Sequence, residues 1–550
     1  MHLKTPPAPL RGSRAISRSF RACALTFLLG LAPPAASPAR ADLIRLLGPG
    51  DWMDTGIWSG DTVPAKVNEE AKHSVNVGSG VSGTVLINGG PGSYKLQEIH
   101  FENTSSVTFR NSTNFTSNSV TLAIEEDFLK DGSGSVIFSW NTNGTIYLTI
   151  GGDLIINDGK VLFGTSSAYA QRLTVSGSTI INKGLLSMRT GSRGSTTSPV
   201  QLGKTYVGAE GGLELYTGGN SSLTTEYFRV QALSGSGKIS VQNSSATLYS
   251  GVLTVDTAET NNLFSGEITQ AGNARLGLAK TGTGSLTLSG SNSYTGGTGV
   301  EQGVLIAASD TALGTGEVAV GAEGRLRVED QIILNNTIVL NGGTLEMRGR
   351  LSGSAAGISF GAEGGRIEGG GRIDVDAGFA SLNQIIGAGT EAIEQIYGAD
   401  QAWSSLTYEW GIKSWDEEPG SASLVTIEGD LELSLAGTYR LSLKTLQNEG
   451  GAGLLDNFEE VSRSWTILTA TGEIDNFDAM LWEIDASGFL DAHGGSWKLG
   501  RMGSDLVLTY TAAIPEPGAL GLFSGLVGAW AAFLAGPLLV RRGVRFPLLS

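Results

Sequence analysis

The sequence is poor in the residues on which many kinds of chemistry depend. Of its 550 residues, one is cysteine and four are histidine, charged residues make up 16%, and the formal net charge is −16. Proteins that bind nucleic acids need clustered lysine and arginine, so this composition argues against that class. The single cysteine, Cys23, lies in a predicted signal peptide. The mature chain is therefore expected to have no disulfide and no thiolate metal site.

Glycine and apolar residues, by contrast, are abundant. The sequence has 80 glycines, and 40% of its residues are hydrophobic. That apolar content is too high for a disordered acidic tail. Low charge, abundant glycine and many serine, threonine and asparagine residues are typical of an extended β protein with many tight turns.

The N-terminus has the three parts of a secretory signal peptide. Arginines between positions 11 and 21 precede an apolar run at 22–32, and the small residues Ala39 and Ala41 follow. The apolar run is too short to span a bilayer, which argues against a permanent anchor. We therefore predict that residues 1–41 are a signal peptide and that signal peptidase cuts after Ala41.

A second signal stands near the C-terminus. Pro515, Glu516 and Pro517 precede an uncharged apolar stretch at 518–540, which the arginines at 541 and 542 close. This stretch is long enough to cross a membrane as a helix, with the arginines on the cytoplasmic side. The expected alternatives are a permanent anchor, which would not need the Pro-Glu-Pro, and a removable tail.

The order of these parts resembles the PEP-CTERM sorting signal, which is read by an exosortase in Gram-negative bacteria. The resemblance covers only the end of the chain and rests on the Pro515-Glu516-Pro517 motif, the apolar stretch and the cluster of Arg541 and Arg542. It implies a sorting tail over residues 513–550 and processing by an exosortase-like membrane protease. The chain would be held in the membrane by its C-terminal helix before processing.

Between its two ends the chain repeats itself. Residues 148–163 (LTIGGDLIINDGKVLF) and 173–188 (LTVSGSTIINKGLLSM) share seven positions in register, about 25 residues apart, and VGAEG occurs at both 207–211 and 320–324. Each glycine-rich turn precedes apolar residues that alternate with polar ones, which predicts a short, half-buried strand. Repeats of this length are typical of a solenoid, in which each coil buries its apolar face on the next.

Residues 278–314 carry a more specific pattern. It comprises KTG at 280–282, LTLSG at 286–290, NSYTGGT at 292–298, GVL at 303–305 and ALG at 312–314. This pattern resembles the autotransporter-associated β-strand repeat. The opening Trp52 and Trp58, the latter followed by Ser-Gly-Asp, also resemble the start of proteins that carry it. The resemblance implies a right-handed β-helix displayed outside the cell.

The predicted fold is all-β: a right-handed parallel β-helix, a β-rich C-terminal module rich in tryptophan, and a single C-terminal transmembrane helix. A short helix is also expected at 454–461. The predicted divisions are a signal peptide (1–41), an N-terminal β-solenoid (42–230), a β-solenoid with the autotransporter-associated repeat (231–380), a Trp-rich module or cap (381–512) and the sorting tail (513–550).

Motifs for cofactor chemistry are weak. The glycines of 78–83 fit G-x-G-x-x-G, but strand-like residues follow where a dinucleotide site needs a helix. Lys204 and Thr205 resemble the end of a P-loop whose first glycine is missing. The histidines of the mature chain fit no zinc-protease motif: they are His73, His100 and His493. We therefore predict no cofactor and no metal.

Three functions remain open on the sequence. The first expectation is a structural or adhesive protein, not an enzyme, on the outer surface or in the extracellular matrix of a Gram-negative bacterium, with exopolysaccharide or other surface glycans as partners and no nucleic acid. The second is a carbohydrate binder that uses the C-terminal tryptophans. The third is a polysaccharide-active enzyme, for which Asp374, Asp376 and residues 416–418 are the candidate carboxylates; solvated surface charges explain these more simply.

Overall fold

The computed structural model describes residues 42–52, 54–59, 73–87, 93–111, 120–139, 146–163, 172–190, 200–217, 225–243, 249–387, 389, 391, 393–416, 420–447, 451–455 and 457–513. All described residues belong to one compact unit.

Almost all regular structure in the described residues is β. The strands of the first third are β1 (Asp42–Leu46), β2 (Gly50–Asp51), β3 (His73–Val77), β4 (Gly83–Ile87), β5 (Ser93–Leu96), β6 (Ile99–Phe101), β7 (Val107–Asn111), β8 (Val120–Ile124), β9 (Phe128–Lys130), β10 (Ser135–Ser139), β11 (Ile146–Ile150), β12 (Leu154–Ile156), β13 (Lys160–Phe163), β14 (Arg172–Val175) and β15 (Thr179–Thr190).

The middle of the chain continues in the same way. Its strands are β16 (Val200–Thr217), β17 (Thr225–Gly235), β18 (Lys238–Asn243), β19 (Tyr249–Asp256), β20 (Asn262–Phe264), β21 (Glu267–Gly272), β22 (Ala274–Thr281), β23 (Ser285–Leu288), β24 (Thr298–Ala307), β25 (Val318–Val328), β26 (Ile333–Leu334), β27 (Thr337–Asn341), β28 (Thr344–Met347), β29 (Arg350–Leu351), β30 (Gly357–Phe360), β31 (Gly365–Glu368) and β32 (Arg372–Ile373).

The last part has longer strands. They are β33 (Ala380–Gly387), β34 (Glu394–Tyr397), β35 (Gln401–Ile412), β36 (Leu424–Ile427), β37 (Leu431–Thr445), β38 (Arg463–Ala470), β39 (Ile474–Asp475), β40 (Trp482–Gly488), β41 (Ser496–Met502) and β42 (Asp505–Thr511). Two 3-10 turns, Thr55–Ile57 and Ala479–Leu481, are the helical segments of the described residues.

The two repeats found in the sequence lie directly on each other in the structure. β11 pairs in parallel with β14, β12 with the start of β15, and β13 with the end of β15. Leu148 is opposite Leu173, 25 positions later, and the same spacing joins Asn157 to Asn182. Each coil therefore has three strands, and equivalent residues of successive coils meet. This confirms the predicted stacking; the right-handed sense stays a prediction.

Strands form here because apolar and polar residues alternate. In β8, Val120, Leu122 and Ile124 are buried, while Thr121 and Ala123 are partly exposed. β-Branched residues suit such a half-buried pleated surface. The inward side chains also stack from coil to coil: the rings of Phe109 and Phe138 are 5.3 Å apart, and those of Phe138 and Phe163 are 4.9 Å apart. The core is thus a column of like residues along the solenoid.

The coils change size along the chain. In the coil that begins in β22, Leu278 pairs with Thr298, 20 positions later. Near the end of the stack, Tyr439 pairs with Trp482, which is 43 positions away. Parallel pairing continues through β33, β35, β37 and β40. The Trp-rich region therefore continues the stack, and the pairing turns antiparallel where β42 joins β38 and β41.

The first strand is covered by the chain itself. Trp58 bridges Leu46 in antiparallel sense, and Leu47 donates a hydrogen bond to the carbonyl of Ile57. The indole of Trp58 donates to the carbonyl of Trp52 at 2.9 Å, and the two rings lie 5.0 Å apart, edge to face. A bare edge strand invites aggregation. The opening tryptophans that resemble those of repeat-bearing proteins therefore act as a cap.

A buried lysine locks the turn of the autotransporter-associated repeat. The Lys280 side chain is fully buried, and its ammonium donates to the carbonyls of Thr281 (2.9 Å), Gly282 (2.7 Å) and Gln302 (3.0 Å). Burial lowers the pKa of Lys280 to about 8, which the carboxylate of Asp256 opposes. This one side chain therefore donates to three carbonyls that converge on the turn, two from its own coil and one from the next.

The same device occurs earlier in the chain. Lys130 is also fully buried, and its ammonium donates to the carbonyls of Gly132 and Asn103. A Cβ on Gly159 would lie 2.9 Å from the Lys130 nitrogen, and a Cβ on Gly303 would lie 2.9 Å from the nitrogen of the later lysine. The sequences are KDGSGS at 130–135 and KTGTGS at 280–285. The K-x-G-x-G-S pattern marks the earlier copy in the sequence, although no buried lysine was predicted there.

The all-β expectation fits the structure, but the predicted fold class is wrong in its single C-terminal transmembrane helix. Within the described part of the chain, no helix is long and apolar enough to cross a membrane. The two 3-10 turns have three residues each, or about 6 Å at about 2 Å per residue, against a hydrocarbon core of about 30 Å. The predicted segment at 518–540 lies outside the described residues.

The expected helix at 454–461 is also wrong, since the described residues of this segment are irregular. The backbone N–H of Leu455 donates to the carboxylate of Asp491 at 3.0 Å, and the side chain of Asn457 accepts from the N–H of Trp415 at 2.9 Å. These side-chain contacts tie the segment to neighbouring loops instead of leaving its backbone to a helix.

The register of the autotransporter-associated repeat gives a direct stability test. Leu286, Leu288 and Leu305 are fully buried, while Thr287 is partly exposed, as the alternation of apolar and polar residues along a strand requires. We expect Leu288→Asp to lower the free energy of unfolding by several kcal/mol, because it buries an unpaired charge. Thr287→Asp is the matched control and should change it by less than about 1 kcal/mol. Denaturant melts of the full chain measure both, and equal losses would contradict the register.

Candidate functional site

Three glutamates form a row on the outer face of the solenoid. Glu346 of β28 is opposite Glu368 of β31, which is opposite Gly387 of β33, which is in turn opposite Glu409 of β35. The side chains of these glutamates are each only 10% exposed. Like charges in directly paired positions repel each other. The row can therefore be stable only with cations around it.

Arginines supply those cations for the first two glutamates. Arg325 contacts both Glu346, at 3.2 Å, and Glu368. Arg327 and Arg348 also lie against Glu346, at 3.0 and 2.9 Å. The arginine side chains are more exposed than the glutamate, since that of Arg348 is 42% exposed and that of Glu346 10%. The arginines therefore cover the glutamates and remain partly exposed themselves.

The third glutamate is held from two sides. Glu409 accepts hydrogen bonds from both terminal nitrogens of Arg366, one of them at 2.9 Å, and from the ammonium of Lys444 at 2.6 Å. Arg366 lies two coils away, and the coil between them presents Gly387, which has no side chain. The absence of a side chain there lets the arginine reach over one coil to its partner.

These contacts set the protonation state of the carboxylates. Burial alone would raise the pKa of Glu409, but the hydrogen bonds from Arg366 and Lys444 outweigh burial and lower that pKa below its ordinary value. The pKa of Glu346 is lowered in the same way, because its surrounding arginines outweigh its burial. The cations around Glu346 and Glu409 thus favour the ionised form of these two carboxylates.

A groove of 480 Å³ opens beside this network. Its floor is backbone at Gly369 and Gly370, where two coil positions lack side chains. Gly369 has a φ of +100°, and a Cβ there would meet the Met347 carbonyl at 2.1 Å, so only glycine fits. The lining is otherwise almost entirely charged: Arg325, Arg327, Asp330, Glu346, Arg348, Glu368, Glu391 and Ile393.

The carboxylates singled out in the sequence do not form a catalytic pair. Asp374 is bound by the guanidinium groups of Arg350 and Arg372, the latter at 2.7 Å. Asp376 accepts hydrogen bonds from the backbone N–H of Gly378 at 3.0 Å and from that of residue 402 at 3.4 Å. One carboxylate is part of an ion pair, and the other holds a turn against the next coil.

The remaining acidic candidates lie at a loop. Asp416 accepts a hydrogen bond from the Asn457 side chain at 2.7 Å and lies 3.6 Å from the guanidinium of Arg463. Glu417 and Glu418 lie outside the described residues. Among the described residues, no group of three or more His, Cys, Asp or Glu side chains could hold a metal ion.

The C-terminal tryptophans pack in the core, with Trp497 partly buried at its edge. Trp410, Trp415 and Trp465 are buried, and the rings of Trp415 and Trp465 lie 4.8 Å apart, edge to face. Trp415 also packs on Tyr510 at 5.4 Å. Stacking on a sugar needs exposed, coplanar aromatic rings. The edge-to-face cluster therefore stabilises the end of the stack and gives no such platform.

The two nucleotide-like motifs lie in β structure. The glycines of 78–83 lead into β4, and Lys204 and Thr205 lie inside β16. Lys204 forms an ion pair with Glu259. Neither motif opens a helix, which is the element that would hold a phosphate.

The histidines have structural partners. His100 lies 2.6 Å from a carboxylate oxygen of Asp131, and His493 lies 2.8 Å from the carbonyl of Asp491. His73 lies at the start of β3, and its Nδ1 is buried. His100 and His493 therefore have partners among the described residues of the protein and need no ligand.

The predicted processing residues all fall outside the described residues. They are Ala39, Ala41, Pro515, Glu516, Pro517, Arg541 and Arg542. Their roles in sorting and processing stay predictions.

Comparison with known proteins identifies one segment. Residues 278–307 match the passenger-associated-transport-repeat family. A stretch of 151 residues is 35% identical to the adhesin BmaC autotransporter of Brucella suis biovar 1 (strain 1330), and it covers 27% of this chain and 4% of that protein. The chain thus carries an autotransporter-type repeat, as its sequence indicated, and the match spans a small fraction of the relative's length. The PEP-CTERM resemblance stays a prediction.

Sequence analysis missed the charged network, although a signal for it exists. Arginine, in two cases with a glutamate two residues away, recurs at 325–327, 346–350 and 366–368, at intervals close to the coil length of this region. Because several charges pair with residues of neighbouring coils, the full network is visible only once the coil length is known.

The glutamate row predicts a pH-dependent loss of stability. We expect Glu409→Gln to lower the free energy of unfolding by about 3 kcal/mol at pH 7, because it removes the buried carboxylate that holds Arg366 and Lys444. Since the folded pKa of Glu409 is lowered, its contribution is complete above the ordinary carboxyl pKa of about 4.3 and is lost as the pH falls through the folded pKa.

The matched control is Glu483→Gln. Glu483 pairs with Arg440, but these side chains are 61% and 40% exposed, so the change should cost less than about 1 kcal/mol. Denaturant melts at pH 7 and at pH 3 measure both variants. An equal cost for both, or a cost for Glu409→Gln that stays constant down to pH 3, would contradict the assigned role.

Proposed function

We propose that this chain is an exported, surface-displayed protein of a Gram-negative bacterium whose β-solenoid makes adhesive or structural contacts. The observation that carries the proposal is the continuous parallel stack of coils with a passenger-type repeat at 278–307. A stack of this kind displays a long lateral surface, and many weak contacts along it can act together.

Two further observations support a binding role over a catalytic one. The relative matched over 151 residues is named an adhesin. The carboxylates proposed for polysaccharide chemistry, Asp374 and Asp376, are committed to an ion pair and to a turn. Glycans of the matrix or of other cells are the proposed partners. Carbohydrate binding is therefore part of the same proposal and not a separate function. The C-terminal tryptophans are not the proposed binding surface.

An adhesion assay tests this function. Cells that produce the full chain should adhere to matrix-coated surfaces, and cells from which its gene is deleted should lose most of that adhesion. Complementation with Thr287→Asp should restore adhesion, whereas Leu288→Asp, which disrupts the stack, should not. Undiminished adhesion of the deletion strain would overturn the proposal.

The route to the surface is a separate part of the proposal. Signal peptidase would cut after Ala41, and an exosortase-like membrane protease would act near Pro515-Glu516-Pro517. Mass spectrometry of the surface-exposed protein should then show Asp42 as the first residue and a last residue near 517. A mature protein that retains residues through 550 would contradict the exosortase step, and one that retains the arginines at 11–21 would contradict the signal peptide.

A further inference from the structure

The groove beside the glutamate row is lined by charges of both signs. Arg325, Arg327 and Arg348 line it together with Asp330 and Glu391. The arginines are 30–42% exposed, although they also pair with buried glutamates. A guanidinium has several N–H donors in a planar fork, so those that do not contact a glutamate are available to a ligand. The groove thus offers strong donors and carboxylate acceptors side by side.

We propose that this groove binds a polyuronate, a polysaccharide whose sugars carry carboxylates. The inference deepens the proposed adhesive function by naming the chemical class of its partner. A uronate carboxylate matches the planar fork of an arginine, with which it forms paired hydrogen bonds. The hydroxyl groups of the same sugar can donate to Asp330 and Glu391, which a ligand made only of anionic groups could not do.

Charge favours a polyuronate over denser polyanions. The chain has a net charge of −16, and the groove itself contains four carboxylates, Asp330, Glu346, Glu368 and Glu391, beside its three arginines. A polymer with closely spaced phosphates would be repelled by these groups. A uronate chain carries one charge per sugar, so it can place its carboxylates at the arginines and its hydroxyls elsewhere.

The arginines also lie on successive coils. Arg325 and Arg327 belong to β25, and Arg348 follows β28, which pairs directly with β25. Neighbouring coils are separated by about 4.8 Å. A linear polymer that runs along the solenoid can therefore meet a guanidinium on each of two coils, whereas a single sugar can meet only one coil fully. Polymers should bind more tightly than monosaccharides for this reason.

Gly370 allows the groove to be filled without disturbing the ion pairs. A Cβ at this position would have its closest contacts at 3.4 Å, with the carbonyl of Glu394, and at 3.7 Å, with the Ile393 side chain. These are ordinary van der Waals distances. Gly370→Gln should therefore fold normally and place its side chain in the groove. Gly500→Gln is the matched control, since a Cβ there meets nothing within 4 Å and Gly500 lies in β41, outside the groove.

The test uses the full chain with sodium polygalacturonate and with fully methyl-esterified polygalacturonate, which keeps the hydroxyls and loses the charge. Wild type and Gly500→Gln should bind the charged polymer equally, Gly370→Gln should bind it at least tenfold more weakly, and the ester should not bind. Melting temperatures establish that the variants are folded. If Gly370→Gln is unfolded, Arg348→Lys, which keeps the charge but loses the fork, should weaken binding several-fold.

Equal binding by Gly370→Gln and wild type, or equal binding of the ester, would overturn the inference. The failure of the inference is distinguishable from that of the adhesive function. If polygalacturonate does not bind and cells still adhere only when they produce this chain, the uronate inference falls and the adhesive function stands. If the polymer binds but the deletion strain adheres normally, the adhesive function falls.

Discussion

In-register parallel pairing is the constraint on which the rest of this structure depends. Each residue faces its equivalent in the next coil at about 4.8 Å, so any side chain must tolerate a copy of itself or a chosen partner. Phenylalanines meet this condition by stacking, as at Phe138 and Phe163. Asparagines meet it by donating a hydrogen bond to the equivalent position of the preceding coil. Asn182 donates to Asn157 at 2.7 Å, and Asn157 donates to Asp131 at 2.6 Å.

Charged side chains meet this condition less easily, because like charges in paired positions repel each other. They are accommodated in two ways. The buried ammonium of Lys280 donates to three carbonyls that converge at a turn. The aligned glutamates Glu346 and Glu368 are joined by one arginine that bridges neighbouring coils. In both places a cation satisfies groups from more than one coil. These cations therefore connect neighbouring coils that are already in register.

The sequence predicted those features that repeat at a fixed spacing. The 25-residue offset placed Leu148 on Leu173, and alternation placed Leu288 inside the core. It could not predict features that depend on the coil length, which changes from 25 to 20 and then to 43 positions along the chain. Glu409, for example, lies 43 positions from its partner Arg366. The expectation that the C-terminal tryptophans bind sugar failed for a related reason. Composition shows that aromatic rings are present but not whether a ring such as that of Trp415 faces solvent or the core.

The candidate site depends on glycines, which have no side chain, as much as on its charged residues. Gly387 has no side chain to separate Arg366 from Glu409, and Gly369 and Gly370 leave the floor of the groove open. In a stack, the loss of one side chain is not filled by lateral packing, because the neighbouring coils are fixed by their own hydrogen bonds. A glycine at an outward position therefore produces a groove of defined depth. A binding site in this fold can therefore form where glycines interrupt a regular surface and charged residues lie on the adjacent coils.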